Sequence, residues 1–192
     1  MRNRAMVLLL SGLMVLCALP ARGREFATED AVKAAILYNL GNFVNWQTGD
    51  ESGPNNAIVL GVIGEDSLQK RLASMAGVKG NGSRVPISIL AIKNVRELKN
   101  QRDRLHMLYI SSSARKMTPG ILELVAGRPV LTISDDEEFV DSGGIMNFVR
   151  ENSRIRFDVN LDAADDSGLK ISARLFGLAR RIIKKNTGEK SP

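Results

Sequence analysis

Few side chains in this sequence can do chemistry, and they stand far apart. His106 is the only histidine and Cys17 the only cysteine. Catalysis by a nucleophile needs a base beside it, and zinc or copper sites draw on His and Cys, so neither a catalytic residue nor a metal site is expected. His106 opens the apolar run HMLYIS and reads as a packed or strand-end histidine. Asp135-Asp136-Glu137-Glu138 puts four acids together without calcium-loop spacing, which fits a solvated turn with helix-start carboxylates. Gly61-Val-Ile-Gly64-Glu-Asp66-Ser67 joins an apolar run to a helical pattern, where an α/β sheet presents ligands. It lacks both the three-glycine dinucleotide spacing and the Gly-Lys-Ser/Thr ending of a phosphate loop, so a tight turn is expected and no cofactor.

The most suggestive stretch is Arg154-Ile-Arg156-Phe157-Asp158-Val159-Asn160. Side chains alternate across a strand, so Ile155, Phe157 and Val159 share one face and Arg154, Arg156 and Asp158 the other. The apolar set suits a core. The charged set is either a solvated face or a polar pocket for a carboxylate, which guanidinium grips with two parallel bonds. Asn160 is placed to cap the helix that follows. A second set, Lys170, Arg174, Arg181 and Lys185, falls on one face of an expected helix over residues 161–185, opposite Leu175, Phe176, Ala179, Ile182 and Ile183. Such a stripe suits acidic headgroups or an acidic partner, or is merely solvated. Arg154, Arg156, Asp158 and Asn160 are therefore the first binding candidates and the basic stripe the second.

Elements must position these groups. Thr28 with Glu29 and Asp30 starts a helix, and Val32, Ala35, Ile36, Leu40 and Phe43 carry it to an expected end near Trp46. Residues 47–56 read as a loop. Strand candidates follow at 57–62, 85–92, 106–111 and 130–133. Helical patterns lie between them: Leu68, Leu72 and Met75 closed by Gly77, a short one over 95–99, and one opened by Thr118-Pro119 and closed by Gly127. Runs at 145–149 and 155–159, five residues apart, form an antiparallel hairpin. Alternating strands and helices imply a mainly parallel sheet covered on both faces. The expected fold is a three-layer α/β sandwich of about six strands, with a late antiparallel hairpin and about five helices.

Residues 1–23 read as a secretory signal peptide. Arg2 and Arg4 precede an apolar run over 5–19, and Ala21-Arg22-Gly23 offers small residues for cleavage. The run is shorter than the ~20 apolar residues of a membrane span, so no insertion is expected after cleavage. Removing the leader takes three arginines, leaving 24 basic against 21 acidic residues, so +6 becomes +3. That ordinary charge argues against a nucleic-acid partner. The mature chain has no cysteine, so its core must hold it without disulfides, and residues 24–185 suffice for one domain. Residues 186–192 read as a disordered tail.

Residues 143–178, GGIMNFVRENSRIRFDVNLDAADDSGLKISARLFGL, resemble the YfiR family of bacterial periplasmic proteins. The opening helix AAILYNLGNFVNW, the phrase VLTISDDEEFVDSGG and the turn VLGVIGED fit in the same order, over residues 31–181. Two departures stand out: relatives carry cysteine pairs that this mature chain lacks, and Gln47 follows Trp46 where a proline is common.

The resemblance implies a non-enzymatic periplasmic regulator, often a dimer. Such a protein binds the periplasmic region of a membrane-bound diguanylate cyclase, or of another signalling protein, and represses it, lowering cyclic-di-GMP output and disfavouring biofilm. Two other readings come from the residues: a small-molecule sensor with its pocket near Arg154 and Arg156, and an enzyme built on the turn at Gly64 to Ser67.

Overall fold

The computed structural model describes residues 28–45, 57–64, 67–75 and 86–184. Trp46 and Lys185 therefore lie outside the described residues, as do the leader and the tail. In the first helix, α1 (Glu29–Leu40), the Thr28 hydroxyl accepts from the Ala31 N–H at 3.3 Å, closing the first turn as its sequence requires. The helix stops at Leu40. The Asn42 and Phe43 amides bond back three residues to Asn39 and Leu40, tightening the chain into β1 (Val44–Asn45). Phe43 is thus past the helix, contrary to its apparent helical spacing.

β2 (Ile58–Ile63), α2 (Ser67–Met75), β3 (Ile87–Ile92), α3 (Val95–Gln101), β4 (Met107–Ile110), α4 (Thr118–Val125) and β5 (Leu131–Ser134) follow in alternation. β6 (Met146–Glu151) and β7 (Arg154–Asn160) are the hairpin, joined through Asn152 and Ser153, both with positive φ. The seven-stranded sheet runs β3-β2-β4-β5-β6-β7-β9, where β9 is Arg181–Ile183. Its first five strands are parallel; β7 runs antiparallel to β6, and β9 parallel to β7. β2, β4 and β5 are buried at every residue, as central parallel strands covered on both faces must be.

Two apolar layers clasp the sheet. On one face α1 and α2 bring Ala34, Leu37, Leu68 and Leu72 onto Leu60, Val62, Phe148, Phe157 and Val159. On the other, Leu98 of α3 and Ile121 and Val125 of α4 meet Val59, Ile63, Leu108 and Ile110. This is the expected three-layer α/β sandwich, with nine strands and six α-helices among the described residues.

The long final helix does not exist. Residues 161–184 form α5 (Leu161–Asp166), β8 (Lys170–Ile171), α6 (Ala173–Phe176) and β9. Gly168, at φ +70°, ends α5 in a left-handed turn that reverses the chain, and Leu169 is buried behind it. β8 then pairs with β1, and the Ser172 hydroxyl caps α6 by accepting from the Arg174 N–H. Helical periodicity over this stretch was real but came from four short elements. Strand pairing of Ile182 and Ile183 beside Val159 and Asn160 overrode it.

Candidate functional site

β7 carries the first candidates, and the register of its neighbours decides their fates. Asp158 lies opposite Asn147 on β6 and Arg181 on β9, so all three share a face. Its side chain has no exposure. Arg180 donates to it twice, from Nε at 2.9 Å and from a terminal nitrogen at 2.6 Å, and Arg181 Nε donates at 3.1 Å. Arg181 reaches on to Asp141 at 2.8 Å. Burial alone would raise the Asp158 pKa; the bonds and charges of Arg180, then Arg181, overcome it and hold the carboxyl below its ordinary value. Asp158 is thus neither on a solvated face nor in an open pocket. It is the hub of an internal ion cluster that ties β9 to the sheet.

Asn160 is also a structural joint. Its side-chain Oδ1 caps α5 by accepting from the Ala163 N–H at 3.0 Å, and its side-chain Nδ2 donates to the Val140 carbonyl at 2.9 Å. Capping was the role read from its position. Arg156 is half-buried, with a buried Nε that has no partner. Arg154, at the far end of the strand, is exposed. It lines a groove of about 360 Å³ with Glu29, Val32, Arg150, Ser153 and Ile155. Arg156 is not in that groove's lining. Six residues of strand, about 20 Å, separate Arg154 from Asn160, so the four candidates do not converge on one site.

The basic stripe is likewise dispersed. Lys170 is on β8, Arg174 in α6, and Arg181 on β9 is ion-paired. Lys185 lies outside the described residues. No common helix face exists to align them.

The acidic run is a structural corner rather than a helix start. Asp136 is buried, pairs with Arg115 and accepts from the Glu138 N–H at 3.1 Å. Asp135 accepts from the Ser112 N–H at 2.7 Å and faces the buried Lys33 at 3.7 Å. His106 accepts the Val59 N–H on Nδ1 at 3.1 Å, in the strand-end role read from its position. Burial lowers its pKa, consistent with a neutral ring acting as acceptor.

Sequence reading missed Arg180, Asp141 and Asn147. Asn147 has no exposure; its amide donates to the Glu137 carbonyl at 3.4 Å, and its Oδ1 has no partner. The available signal was Asp158 itself, since an acid on a strand inside a domain needs a counter-charge nearby.

A separate crevice opens at the carboxyl ends of β2 and β4. The chain passes from β2 to β3 on one side and then to β4 on the other, and such a reversal point is where doubly wound sheets take ligands. The crevice has a volume of about 980 Å³, and Gly64, Ser67, Lys70, Lys93, Ser113 and Met117 line it. Gly64, at φ +99°, has no room for a side chain: a Cβ would lie 2.7 Å from that of Ser111 and 2.8 Å from the Ser113 hydroxyl.

A doubly wound, three-layer α/β domain with a polar-clamped hairpin edge is therefore the class of this protein. Its sequence matches the YfiR/HmsC-like family over residues 30–180, and the chain belongs to that family. No curated protein matches it. Among solved structures it is similar to the ABC domain in complex with L-Trp from Streptococcus pneumonia. The identity is 10%, the TM-score 0.52, and the match covers 66% of this chain and 55% of that one. A conserved domain protein from Vibrio cholerae is similar at 11% identity and a TM-score of 0.49, covering 65% and 54%. The chain thus spans little more than half the length of either. At 10% identity, what is shared with the streptococcal domain is the fold.

Proposed function

We propose that this chain is a non-enzymatic regulator, exported to the periplasm behind residues 1–23, that binds the periplasmic region of a membrane-bound diguanylate cyclase and represses it. The single observation carrying this reading is the family match over residues 30–180. The side chains support it. His106 and Asp158 are engaged in bonds that hold strands together, and Asn160 caps α5 at the wall of a cavity of about 540 Å³. No helix among the described residues is long and apolar enough to cross a membrane, so the described domain fits a partner held from outside the bilayer. A homodimer is part of the proposal.

The test is deletion of the gene in its own host, with cellular cyclic-di-GMP measured. The level should rise, and a plasmid copy should restore it only when residues 1–23 are present. An unchanged level, or full rescue by the leaderless copy, overturns the reading.

The crevice beside Gly64 favours a second reading, a sensor that takes a small ligand there. A ligand bound only by the folded state raises its Tm. Under this reading a metabolite should do so for the wild type and fail to do so for a Lys70→Glu, Lys93→Glu double variant.

A further inference from the structure

We infer that the outer edge of β3 pairs with β3 of a second copy of this chain, antiparallel about a two-fold axis at Ile89, so that two sheets become one. This rests on the homodimer in the regulator reading and names its surface. β3 ends the seven-stranded sheet opposite β9, and among the described residues it pairs only with β2. Edge strands are ordinarily guarded by shortness, charge, proline or a bulge. β9 is guarded: it has three residues, begins at Arg181 and lies between Arg180 and Lys184. β3 has no such guard. Its six residues, Ile-Ser-Ile-Leu-Ala-Ile, hold no charge and no proline, and their register with β2 runs unbroken from Ile87 to Ile92.

The side chains leave the same edge open. The central strands β2, β4 and β5 are buried throughout, whereas Ser88 and Ala91 are exposed and Ile89 and Leu90 half-buried. Ile89 packs on the border of the first core and Leu90 on that of the second. Both apolar layers therefore stop unfinished at this strand. Residues 76–85, which lead into it, include Gly77, Gly80 and Gly82, a composition that disfavours a covering strand.

Backbone direction sets the register. The Ile58 N–H donates to the Pro86 carbonyl at 2.9 Å. Peptide groups alternate along a strand, so Ser88, Leu90 and Ile92 also turn theirs toward β2, and Ile87, Ile89 and Ala91 turn theirs outward. Lys93 is next in the outward series, and its N–H already donates to the Glu97 carboxylate at 3.0 Å, which closes the open stretch. An antiparallel copy centred on Ile89 matches this pattern. Ile89 exchanges both bonds with Ile89 of the second copy, and Ile87 does the same with Ala91 of the second copy on each side of the axis. Ile87, Ile89 and Ala91 then meet only one another across the first-core face, and Leu90 meets Ser88 on the other. No charged side chain lies within the pairing. Centring on Leu90 instead would set Lys93 against buried Ile87 and need the N–H that Glu97 holds. The strand is thus complementary to itself, as an isologous contact requires.

The test uses the exported chain carrying Cys17→Ser, which has no other thiol. In sedimentation it should be a dimer that dissociates on dilution. Ser88→Lys sets a charge against Leu90 of the second copy and should weaken the dimer about tenfold or more. Its Tm, read on the dilute monomer, should not change, because Ser88 is exposed. Leu178→Lys, exposed beside the far edge, should leave the dimer as it is. Under mild oxidation Ile89→Cys should cross-link to itself, since facing Cα atoms in a hydrogen-bonded pair stand about 5.5 Å apart, within disulfide reach. Ala91→Cys, which faces Ile87, should not. A monomer at every concentration, a dimer indifferent to Ser88→Lys, or a dimer lost in Leu178→Lys overturns the inference. So does cross-linking by Ala91→Cys as readily as by Ile89→Cys, or none by Ile89→Cys while the dimer persists. An unchanged cyclic-di-GMP level in the deletion strain sinks the regulator reading but leaves sedimentation and cross-linking standing, so the two failures are distinct.

Discussion

Asp158→Ala is the change that most directly tests whether the ion cluster holds β9 in place. The wild-type carboxylate is fully buried and accepts three bonds, two from Arg180 and one from Arg181. Hydrogen bonds to a charged group contribute roughly 1.5–3 kcal/mol each, which would suggest a large loss. Both arginines, however, are about two-fifths exposed and regain water when released, so the gross sum must be discounted for screening. The expected cost is about 2–3 kcal/mol at neutral pH. The sign of the pH dependence is fixed. A carboxyl whose folded pKa is lowered contributes stability above its unfolded pKa of about 3.9 and loses it as the pH falls through the folded value. The gap between wild type and variant should therefore narrow in acid. Urea unfolding of both proteins at pH 7 and near pH 3 measures it, and amide exchange should show Arg181–Ile183 opening before the rest of the sheet. A gap below about 0.5 kcal/mol at pH 7, the scale of an ordinary surface change, would refute the clamp, as would a gap independent of pH.

Three further outcomes follow from the same geometry. Phe157→Ala empties a core position opposite Phe148 and should cost about 3–5 kcal/mol by urea unfolding, enough to threaten a marginal domain. His106 has a folded pKa below its unfolded value of about 6.5, so its contribution is complete above that pH and is lost as the pH falls through the folded value. His106→Ala should be destabilised at pH 7.5 and show a flatter stability profile between pH 7 and 5 than the wild type. Gly64→Ala forces a side chain onto Ser111 at a positive φ, and its melting temperature should fall by several degrees, whereas the exposed Arg154→Ala should leave it unchanged.

Local signals made much of the sheet legible. Thr28 before two acids and Pro119 in the first turn of α4 set helix starts through interactions of a few residues. Ile58–Ile63 and Met107–Ile110 are apolar throughout because parallel strands are covered on both faces. The hairpin was legible from spacing alone. What escaped were decisions made by distant partners. Ile182 and Ile183 suit a helix face as well as a strand, and only β7 alongside selects the strand. The signal that residues 161–184 break was local, in Asp166-Ser167-Gly168, but the helical period on either side masked it. The fate of Asp158 was illegible for a similar reason. Alternation correctly placed it on the face opposite Phe157, but whether that face meets water depends on Arg180, 22 residues further along.

The same dependence explains what Asp158 does on the polar face of β7. A carboxylate removed from water is held only by charges delivered to it, and here both arrive from Arg180 and Arg181, where the chain enters β9. The cluster therefore sets the register of β9. Asp158 opposite Arg181 puts Val159 beside Ile182 and Asn160 beside Ile183. A slip of one residue would turn Ile182 toward the ion cluster and Arg181 toward the apolar face shared by Phe157 and Val159, and both changes are unfavourable. Three residues of strand would be too few to fix their own pairing by backbone bonds alone. The buried charge supplies the specificity that length cannot, and so determines which side chains the edge of the sheet presents.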